Sequence, residues 1–308
     1  MKRAIIAGAT GAIGTALINN LIEHGIEVLV LVRPESSRRN NIPESKYVCV
    51  MECGMKDYAS TMNTTGKEYD VFYHFAWAGA SGPGRNDMYL QTDNIKYALD
   101  AVGMAKRFGC KKFIGAGSQA EYGRFEGLLK PDTPTFPEMG YGYAKLCAGL
   151  MTRDYANQIG LEHVWVRILS VYGPNDGSQS MVMSTINKLL NGDIPQFTKG
   201  EQMWDYLHSS DAAEAFRLIA DKGISNKVYV LGNGRAFPLA QYIKSIRDIV
   251  NPGCNIELGA IPYSPKQVMH LQADISELER DCSWKPVVEF EDGIRSILNS
   301  FMKQNNGR

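Results

Sequence analysis

Tyr141 and Lys145 stand four residues apart in the segment YGYAK and could move a proton between them and a ligand. On a helix, residues four apart share a face, so the phenol and the ammonium would point the same way. A free tyrosine has a pKa of about 10 and is a poor acid–base group at neutral pH. A neighbouring lysine cation favours the phenolate, which makes the pair a candidate for proton transfer. An exposed helix surface carrying Tyr143 and Lys145 is the alternative interpretation.

Ser118 follows the apolar run KFIGAG and precedes QAEYG. Glycine and serine end strands for backbone reasons alone, so Gly117 and Ser118 could simply form a turn. The alternative is a hydrogen-bond donor at the carboxyl end of a parallel strand, where ligands bind in open α/β sheets.

The glycines of GATGAIG predict a dinucleotide site. Gly8 permits a tight turn, Gly11 lets the backbone approach a pyrophosphate, and Gly14 lets helix and strand pack closely. The helix N-terminus then offers free N–H groups to phosphate. The contacts expected from this turn come from Gly8, Thr10, Gly11, Ala12, Ile13 and Gly14. A plain glycine turn is the alternative.

The end of the second predicted strand favours NADP over NAD. An acid there would accept the ribose hydroxyls of NAD, but the chain reads LVRPESSRR, with Val32 at that position and Arg33 next. Arginines beside hydroxyls suit a phosphate dianion, and Arg33, Ser36 and Arg38 are the residues expected to hold it. NAD, with Glu35 turned back to the ribose, is the alternative.

The elements that must position these residues alternate between strand and helix. RAIIAG, EVLVLV, KYVCVM, YDVFYHFA, KKFIGAG and EHVWVRILS are predicted strands, and GTALINNLIEHG, NIKYALDAVGMAKRFG and YAKLCAGLMTRDYANQIG are predicted helices. This alternation predicts an α/β, Rossmann-type doubly wound sheet that is mostly parallel. We expect a Rossmann domain over residues 1–172, to which 205–232 return. The remainder of 173–308, rich in Pro, Gly and Asn, is expected to form a smaller C-terminal substrate-binding lobe.

Composition narrows the class of protein. The 308 residues carry 33 basic and 33 acidic side chains, so net charge gives no reason to expect nucleic acid or a membrane surface as partner. No apolar run reaches the ~20 residues of a membrane span. Six scattered cysteines without a CxxC pair predict reduced thiols of a cytoplasmic protein and no metal site.

The chain resembles the extended short-chain dehydrogenase/reductases that act on nucleotide sugars. The resemblance rests on five motifs in this order: GATGAIG, GSQAEYG, YGYAK, VRILSVYGP and the terminal WKP. The resemblance covers essentially the whole chain. It implies that Tyr141 donates and accepts the proton at a sugar oxygen, that Lys145 binds the nicotinamide ribose and tunes Tyr141, and that Ser118 bonds the reacting oxygen. It also implies cofactor contacts at Phe75, Ala76, Trp77, Asn94, Ile168 and Val171.

The chain departs from the family pattern on the substrate side. Ser170 stands where many members have asparagine, and Trp204 where an arginine often precedes the aspartate. Binding of the substrate phosphates must therefore differ, with Arg235 or Lys266 as replacement cations. The residues expected to line the substrate site are Ser118, Gln119, Tyr141, Ser170, Arg235 and Lys266.

Gln119 and Ala120 occupy the positions where related dehydratases carry an Asp-Glu pair, so dehydration is not expected. Epimerases recycle their cofactor, usually NAD, whereas reductases consume it, usually NADPH. Arg33 thus favours NADPH-dependent reduction at C4 of a nucleotide-linked 4-keto-6-deoxyhexose. A nucleotide-sugar 4-epimerase using NAD(P) is the alternative, and a non-catalytic NADP-binding sensor is a third reading that the retained Ser118, Tyr141 and Lys145 disfavour. The resemblance suggests a homodimer joined through the two long helices of the first lobe.

Overall fold

The computed structural model describes the backbone of residues 1–306 and the side chains of residues 1–302. The described residues form thirteen strands: β1 (Arg3–Ala7), β2 (Glu27–Val32), β3 (Val48–Glu52), β4 (Val71–His74), β5 (Lys112–Ser118), β6 (Glu162–Ile168), β7 (Ser170–Tyr172), β8 (Gln196–Phe197), β9 (Met203–Trp204), β10 (Tyr206–His208), β11 (Val228–Leu231), β12 (Phe237–Pro238) and β13 (Glu257–Leu258). They also form eight α-helices: α1 (Ala12–Glu23), α2 (Met88–Arg107), α3 (Gly140–Gln158), α4 (Met181–Asn191), α5 (Ser209–Lys222), α6 (Leu239–Val250), α7 (Ser276–Cys282) and α8 (Phe290–Asn306).

Seven of the strands form one sheet in the order β11-β6-β5-β4-β1-β2-β3, and every neighbouring pair is parallel. The chain builds outward from β1 through β2 to β3, then crosses to β4 on the other side of β1. The carboxyl ends of β1 and β4 therefore flank the point where the strand order reverses. In open α/β sheets ligands bind in the crevice outside that point.

Helices cover both faces of this sheet, and each face has its own apolar core. Residues of α1, α5 and α7 pack with one set of strand side chains, and residues of α2 with the opposite set. The inner strands β4 and β5 are fully buried, and their sequences are mostly apolar, as expected for strands covered on both faces. The predicted Rossmann-type doubly wound sheet is confirmed.

Two helices begin earlier than the sequence prediction. The helix predicted from Asn94 starts at Met88, because the Asp87 carboxylate accepts a hydrogen bond from the Leu90 N–H at 3.1 Å and caps the helix. The helix predicted from Tyr143 starts at Gly140, so Tyr141 and Lys145 both lie in its first two turns. The predicted helical spacing of Tyr141 and Lys145 therefore holds.

Beyond Tyr172 the chain alternates between the main sheet and smaller units. Strand β11 joins the main sheet beside β6, and α5 packs on α1. Strands β7 and β10, β9 and β12, and β8 and β13 form two-stranded pairs, and α4, α6 and α8 share a separate apolar cluster. The division into a Rossmann domain over 1–172 with 205–232 and a smaller C-terminal lobe stays a prediction. Residues 307–308 of that predicted lobe lie outside the described residues.

None of the helices in the described part of the chain combines the length and the apolarity needed to cross a membrane. All six cysteines are free thiols.

Candidate active site

Ser118, Tyr141 and Lys145 meet at the carboxyl end of β5. Ser118 is the last residue of that strand and pairs in register with Ile168 of β6. Lys145, in α3, donates a hydrogen bond of 2.7 Å to the carbonyl oxygen of Ala116, two residues before Ser118. Its ammonium lies 5.8 Å from the centre of the Tyr141 ring. The sheet thus provides the donor serine, and the helix brings the phenol and the cation to it.

Tyr141 is half-buried, whereas its neighbour Tyr143 is 51% exposed, which favours Tyr141 as the acid–base tyrosine. Burial raises the pKa of the Tyr141 phenol. A hydrogen bond with the Ser118 side chain and the charge of Arg85 lower the pKa, and the charge of Glu121 raises it. The pKa of Tyr141 therefore depends on its burial and on Ser118, Arg85 and Glu121.

Lys145 is 3% exposed, so the alternative of an exposed helix surface at this residue is wrong. Burial lowers the pKa of Lys145 to about 7, and the charge of Glu121 opposes that change. The ammonium also lies 3.7 Å from the centre of a Trp77 ring, within the distance of a cation–π contact. A lysine held this way switches between charged and neutral forms near neutral pH.

Ser118 belongs to a buried network of hydrogen bonds that we call the inner network. Its members are Ser118, Glu121, Trp165 and Arg167. The Glu121 carboxylate is fully buried and accepts hydrogen bonds from the Ser118 N–H at 2.8 Å and from the Trp165 indole at 3.0 Å. Arg167 donates to it through Nε at 2.7 Å and is itself 7% exposed. Because every charge in this network has a partner, the backbone at Ser118 is firmly placed.

The glycine turn after β1 fits a dinucleotide phosphate. Gly8 has a positive φ of 82° and lies so close to the segment after β4 that a Cβ would come within 2.4 Å of the Ala76 nitrogen. A Cβ on Gly14 would meet the Ala9 backbone at 2.6 Å. At Gly11, by contrast, no described atom lies within 4 Å of a Cβ, so this glycine faces open space.

The first turn of α1 begins at Ala12 and Ile13, and no described side chain caps its N–H groups. Asn41 reaches back to donate 3.0 Å to the Thr10 carbonyl, which ties the segment after β2 to this turn. Open space at Gly11 and uncapped N–H groups are what a pyrophosphate needs.

Residues 33–39, which we call the basic loop, follow β2 with their cations in solvent. Val32 is buried and Arg33 is exposed, and within the described side chains the Arg33 guanidinium has neither a hydrogen bond nor an ion pair. Arg38 donates to the Asn175 carbonyl, and Arg39 is paired with Glu52. Ser36 is half-buried beside them. Arg33 is therefore the member of this loop best able to accept a new anion.

The segment after β4 is fastened by α2. Asn94 is 1% exposed, and its amide both accepts from the Ala78 N–H and donates to the Ala78 carbonyl, each at 2.9 Å. The Trp77 indole donates to Gln91 at 2.8 Å. Asn94 thus holds the cofactor-side loop rather than pointing a free group into the site. Phe75 and Ala76, half-buried, complete the segment beside Gly8.

The two residues that depart from the family pattern, Ser170 after β6 and Trp204 in β9, contact each other. The Trp204 indole donates a hydrogen bond of 2.8 Å to the Ser170 hydroxyl. Ile168 ends β6 beside Ser118, and Val171, in β7, pairs with Leu207 of β10. The polar pair Ser170 and Trp204 therefore stands close to the carboxyl end of β6, two residues beyond the partner of Ser118.

The cations predicted to bind the substrate phosphates, Arg235 and Lys266, have no bonded contact with the catalytic candidates in the described part of the chain. Arg235 is exposed and pairs with Glu289 at 3.0 Å, and Lys266 is exposed on a loop. In the described residues no hydrogen bond or ion pair joins either cation to Ser118 or Tyr141. Gln119, half-buried, opens the short turn directly after Ser118.

Sequence reasoning missed three charged residues of the site: Arg85, Glu121 and Arg167. Arg167 had a usable signal, because it is a charged residue in an apolar stretch, and such residues are almost never buried without a partner. Glu121 lies among small and polar residues and had no such signal. Arg85 also had none, since it lies in a short 3₁₀ helix, Gly82–Asn86, between β4 and α2 and meets Tyr141 only in the folded chain.

The sequence profile of the NAD dependent epimerase/dehydratase family matches residues 4–232. The chain belongs to this family, which confirms the resemblance to the extended short-chain dehydrogenase/reductases and makes it an enzyme of the oxidoreductase type.

Individual relatives are distant but span nearly the whole chain. A putative UDP-glucose 4-epimerase of Methanocaldococcus jannaschii is 24% identical, covering 98% of this chain and 99% of its own. A dTDP-4-dehydro-6-deoxyglucose reductase of Escherichia coli is 24% identical over 96% of each chain. Among solved structures, a UDP-N-acetylglucosamine 4-epimerase from Methanobrevibacter ruminantium, in complex with UDP-N-acetylmuramic acid, superposes with a TM-score of 0.88 at 24% identity. That structure covers 98% of this chain and 99% of its own. These relatives include 4-epimerases as well as a reductase.

Proposed function

We propose that this protein reduces C4 of a nucleotide-linked 4-keto-6-deoxyhexose with NADPH. The observation that carries the proposal is the end of β2, where buried Val32 stands at the position of the usual acid and is followed by exposed Arg33. The acid nearest in register, Glu52 at the end of β3, is already paired with Arg39. An unpaired guanidinium in this position suits the 2′-phosphate of NADP.

The cofactor type supports the direction of the reaction. An enzyme that oxidises and then re-reduces the same sugar regenerates its cofactor on the protein. A net reductase takes reduced cofactor from the cell in every turnover, and that pool is mainly NADPH. An NADP site therefore favours net reduction over epimerisation.

The roles proposed for the site residues are those that the family resemblance implies, and the contacts of these residues support them. A bound nicotinamide supplies the hydride to C4. Tyr141 would give its proton to the C4 oxygen, which becomes the new hydroxyl, and Ser118 would donate a hydrogen bond to the same oxygen as negative charge develops on it. Lys145 would bind the nicotinamide ribose and favour the phenolate of Tyr141 after the proton has left.

Dehydration is disfavoured by the residues after Ser118. Gln119 and Ala120 offer no carboxylate for removing a proton at C5 or for protonating a leaving hydroxyl at C6. The carboxylate that does follow, Glu121, is fully buried and already bonded by Ser118, Trp165 and Arg167.

The second candidate is a 4-epimerase acting on a nucleotide hexose. It is favoured by the similarity to the archaeal putative UDP-glucose 4-epimerase and to the solved UDP-N-acetylglucosamine 4-epimerase. The roles of Ser118, Tyr141 and Lys145 would be the same, but Tyr141 would first accept a proton and later return it.

Two incubations of the purified protein separate the two candidates: one with NADPH and a panel of 4-keto-6-deoxy nucleotide sugars, and one with nucleotide hexoses that carry a 4-hydroxyl. The proposal expects one sugar in the panel to oxidise one NADPH per sugar and to yield a 4-hydroxy product. Nicotinamide absorbance reports the first quantity, and nuclear magnetic resonance of the sugar reports the second. Interconversion of two 4-hydroxy sugars with no net change in absorbance would replace the reductase by the epimerase.

The homodimer through α2 and α3 remains a proposal. It is supported by exposed apolar side chains on these helices, namely Tyr89, Leu150 and Met151, which are 88%, 47% and 44% exposed. Exposed apolar side chains often mark contacts between proteins where they form one contiguous surface. Light scattering tests the proposal, since a monomeric mass at micromolar concentration would contradict it.

A further inference from the structure

A second cation lies on the face of the Tyr141 ring, contributed by the loop between β4 and α2. The guanidinium carbon of Arg85 is 4.2 Å from the centre of that ring, well inside the ~6 Å range of cation–π interactions. The ammonium of Lys145 is farther away, at 5.8 Å from the same centre. The nearer cation to the acid–base ring is thus one that the Tyr-x-x-x-Lys pattern does not contain.

Arg85 is held in this position from two sides. Its Nη1 donates a hydrogen bond of 2.8 Å to the Ala80 carbonyl, and its Nε donates to the sulfur of Met139 at 3.4 Å. The loop itself is joined to the start of α3, because the Gly140 N–H donates to the Asn86 side chain at 3.3 Å. Arg85 therefore keeps a fixed place against the beginning of the helix that carries Tyr141.

The charged groups that face Tyr141 come from three elements: Arg85 from the loop, Lys145 from α3, and Glu121 from the turn after β5. Ser118, at the end of β5, adds a neutral hydrogen bond. Because burial lowers the pKa of Lys145 to about 7, this lysine is partly uncharged near neutral pH. A guanidinium stays protonated throughout, so Arg85 supplies a positive charge that does not titrate.

We propose that Arg85 is a positioning residue that, together with Lys145, sets the fraction of Tyr141 that is protonated at a given pH. The inference rests on the proposed function for the reaction step, and on the geometry for the contact. A cation near the ring favours the phenolate, so loss of Arg85 raises the pKa of Tyr141. In the reduction direction the protonated phenol is the active form, and activity falls as pH rises through that pKa. Loss of Arg85 then moves this alkaline limb to higher pH.

Tyrosinate absorbance tests the proposal without any substrate. Each variant is titrated beside the same variant carrying Tyr141→Phe, so that the difference reports Tyr141 alone. Arg85→Gln removes the charge but keeps a long polar side chain, and Arg85→Lys keeps the charge. Arg295→Gln is the matched control, since Arg295 is exposed on α8 and pairs with Asp292. Arg85→Met is a second charge-free variant, and circular dichroism checks that each variant folds.

The expected result is a Tyr141 pKa about one unit or more higher in Arg85→Gln and Arg85→Met. The pKa should stay near the parent value in Arg85→Lys and Arg295→Gln. With an active substrate, the alkaline limb of the pH–rate profile should move by the same amount. An unchanged titration in both charge-free variants, or an equal shift in Arg295→Gln, would overturn the role of Arg85. A shifted titration in a protein that reduces no 4-keto sugar would contradict the proposed function and support the role of Arg85.

Discussion

The inner network and the basic loop both place arginines near the ends of parallel strands, but in opposite environments. In the inner network, Arg167 is 7% exposed and bonded to the fully buried Glu121. In the basic loop, Arg33 is exposed and has no partner among the described side chains. One arginine is part of the folded structure, and the other is available to a ligand.

The difference separates what builds the site from what selects its ligand. A buried charge pair has given up its hydration, so removing one partner leaves the other charge unpaired in a poorly solvated place. A solvated cation costs the fold almost nothing and gains a strong bond only when an anion arrives. Changes in the inner network should therefore act on stability, and changes in the basic loop on the choice of cofactor.

The largest expected effect is on turnover and comes from removing the Tyr141 hydroxyl, which lies beside Ser118 of the inner network. Tyr141→Phe removes the general acid and should lower the turnover rate by about 10²–10⁴ while leaving the fold and NADPH binding intact. The matched control is Tyr143→Phe, since Tyr143 is on the same helix but 51% exposed. If Tyr143→Phe lost turnover and Tyr141→Phe did not, the assignment of the acid–base tyrosine would be wrong.

The next effect is on stability and tests the inner network itself. Glu121→Ala leaves Arg167 unpaired in the protein interior and should lower the free energy of unfolding by about 3–5 kcal/mol. Glu138→Ala is the control, because Glu138 pairs with Arg124 at 2.9 Å on the surface, where such pairs are worth about 0–1 kcal/mol. Urea unfolding measures both. Equal losses in the two variants would remove the distinction between buried and exposed pairs.

The smallest effect concerns the basic loop. Arg33→Ala should weaken NADPH binding by about 1–3 kcal/mol, the scale of a lost charge-assisted hydrogen bond, and leave NADH binding nearly unchanged. Arg39→Ala should weaken NADPH binding less, because Arg39 is already paired with Glu52. Calorimetric titration measures the four affinities. If Arg39→Ala caused the larger loss of NADPH binding, the assignment of the phosphate contact to Arg33 would be wrong.

Features that depend on local pattern could be predicted from the sequence. Strand and helix order, the glycine turn and the shared face of Tyr141 and Lys145 follow from periodicity and from residues close together in the chain. The starts of α2 and α3 could not be placed as well. For α2, the capping residue Asp87 lies seven residues before Asn94, the first residue of the predicted helix.

Features that depend on contacts between distant segments were out of reach. Glu121 and Arg167 are 46 residues apart, and Trp204 and Ser170 are 34 apart. No local sequence pattern therefore predicts that the two residues of either pair are in contact. Arg85 reaches Tyr141 only because the loop after β4 folds onto the start of α3. The sequence could therefore name the acid–base residues, but not the groups that position them.

The relative affinity of the unmodified protein for NADPH and NADH tests the central claim most directly. The claim is that an unpaired Arg33, with no acid at the end of β2, makes this an NADP enzyme and hence a net reductase. Calorimetric titration should give NADPH a dissociation constant at least about tenfold lower than that of NADH, a difference of about 1.4 kcal/mol. Equal affinities, or tighter binding of NADH, would contradict the claim and favour the epimerase.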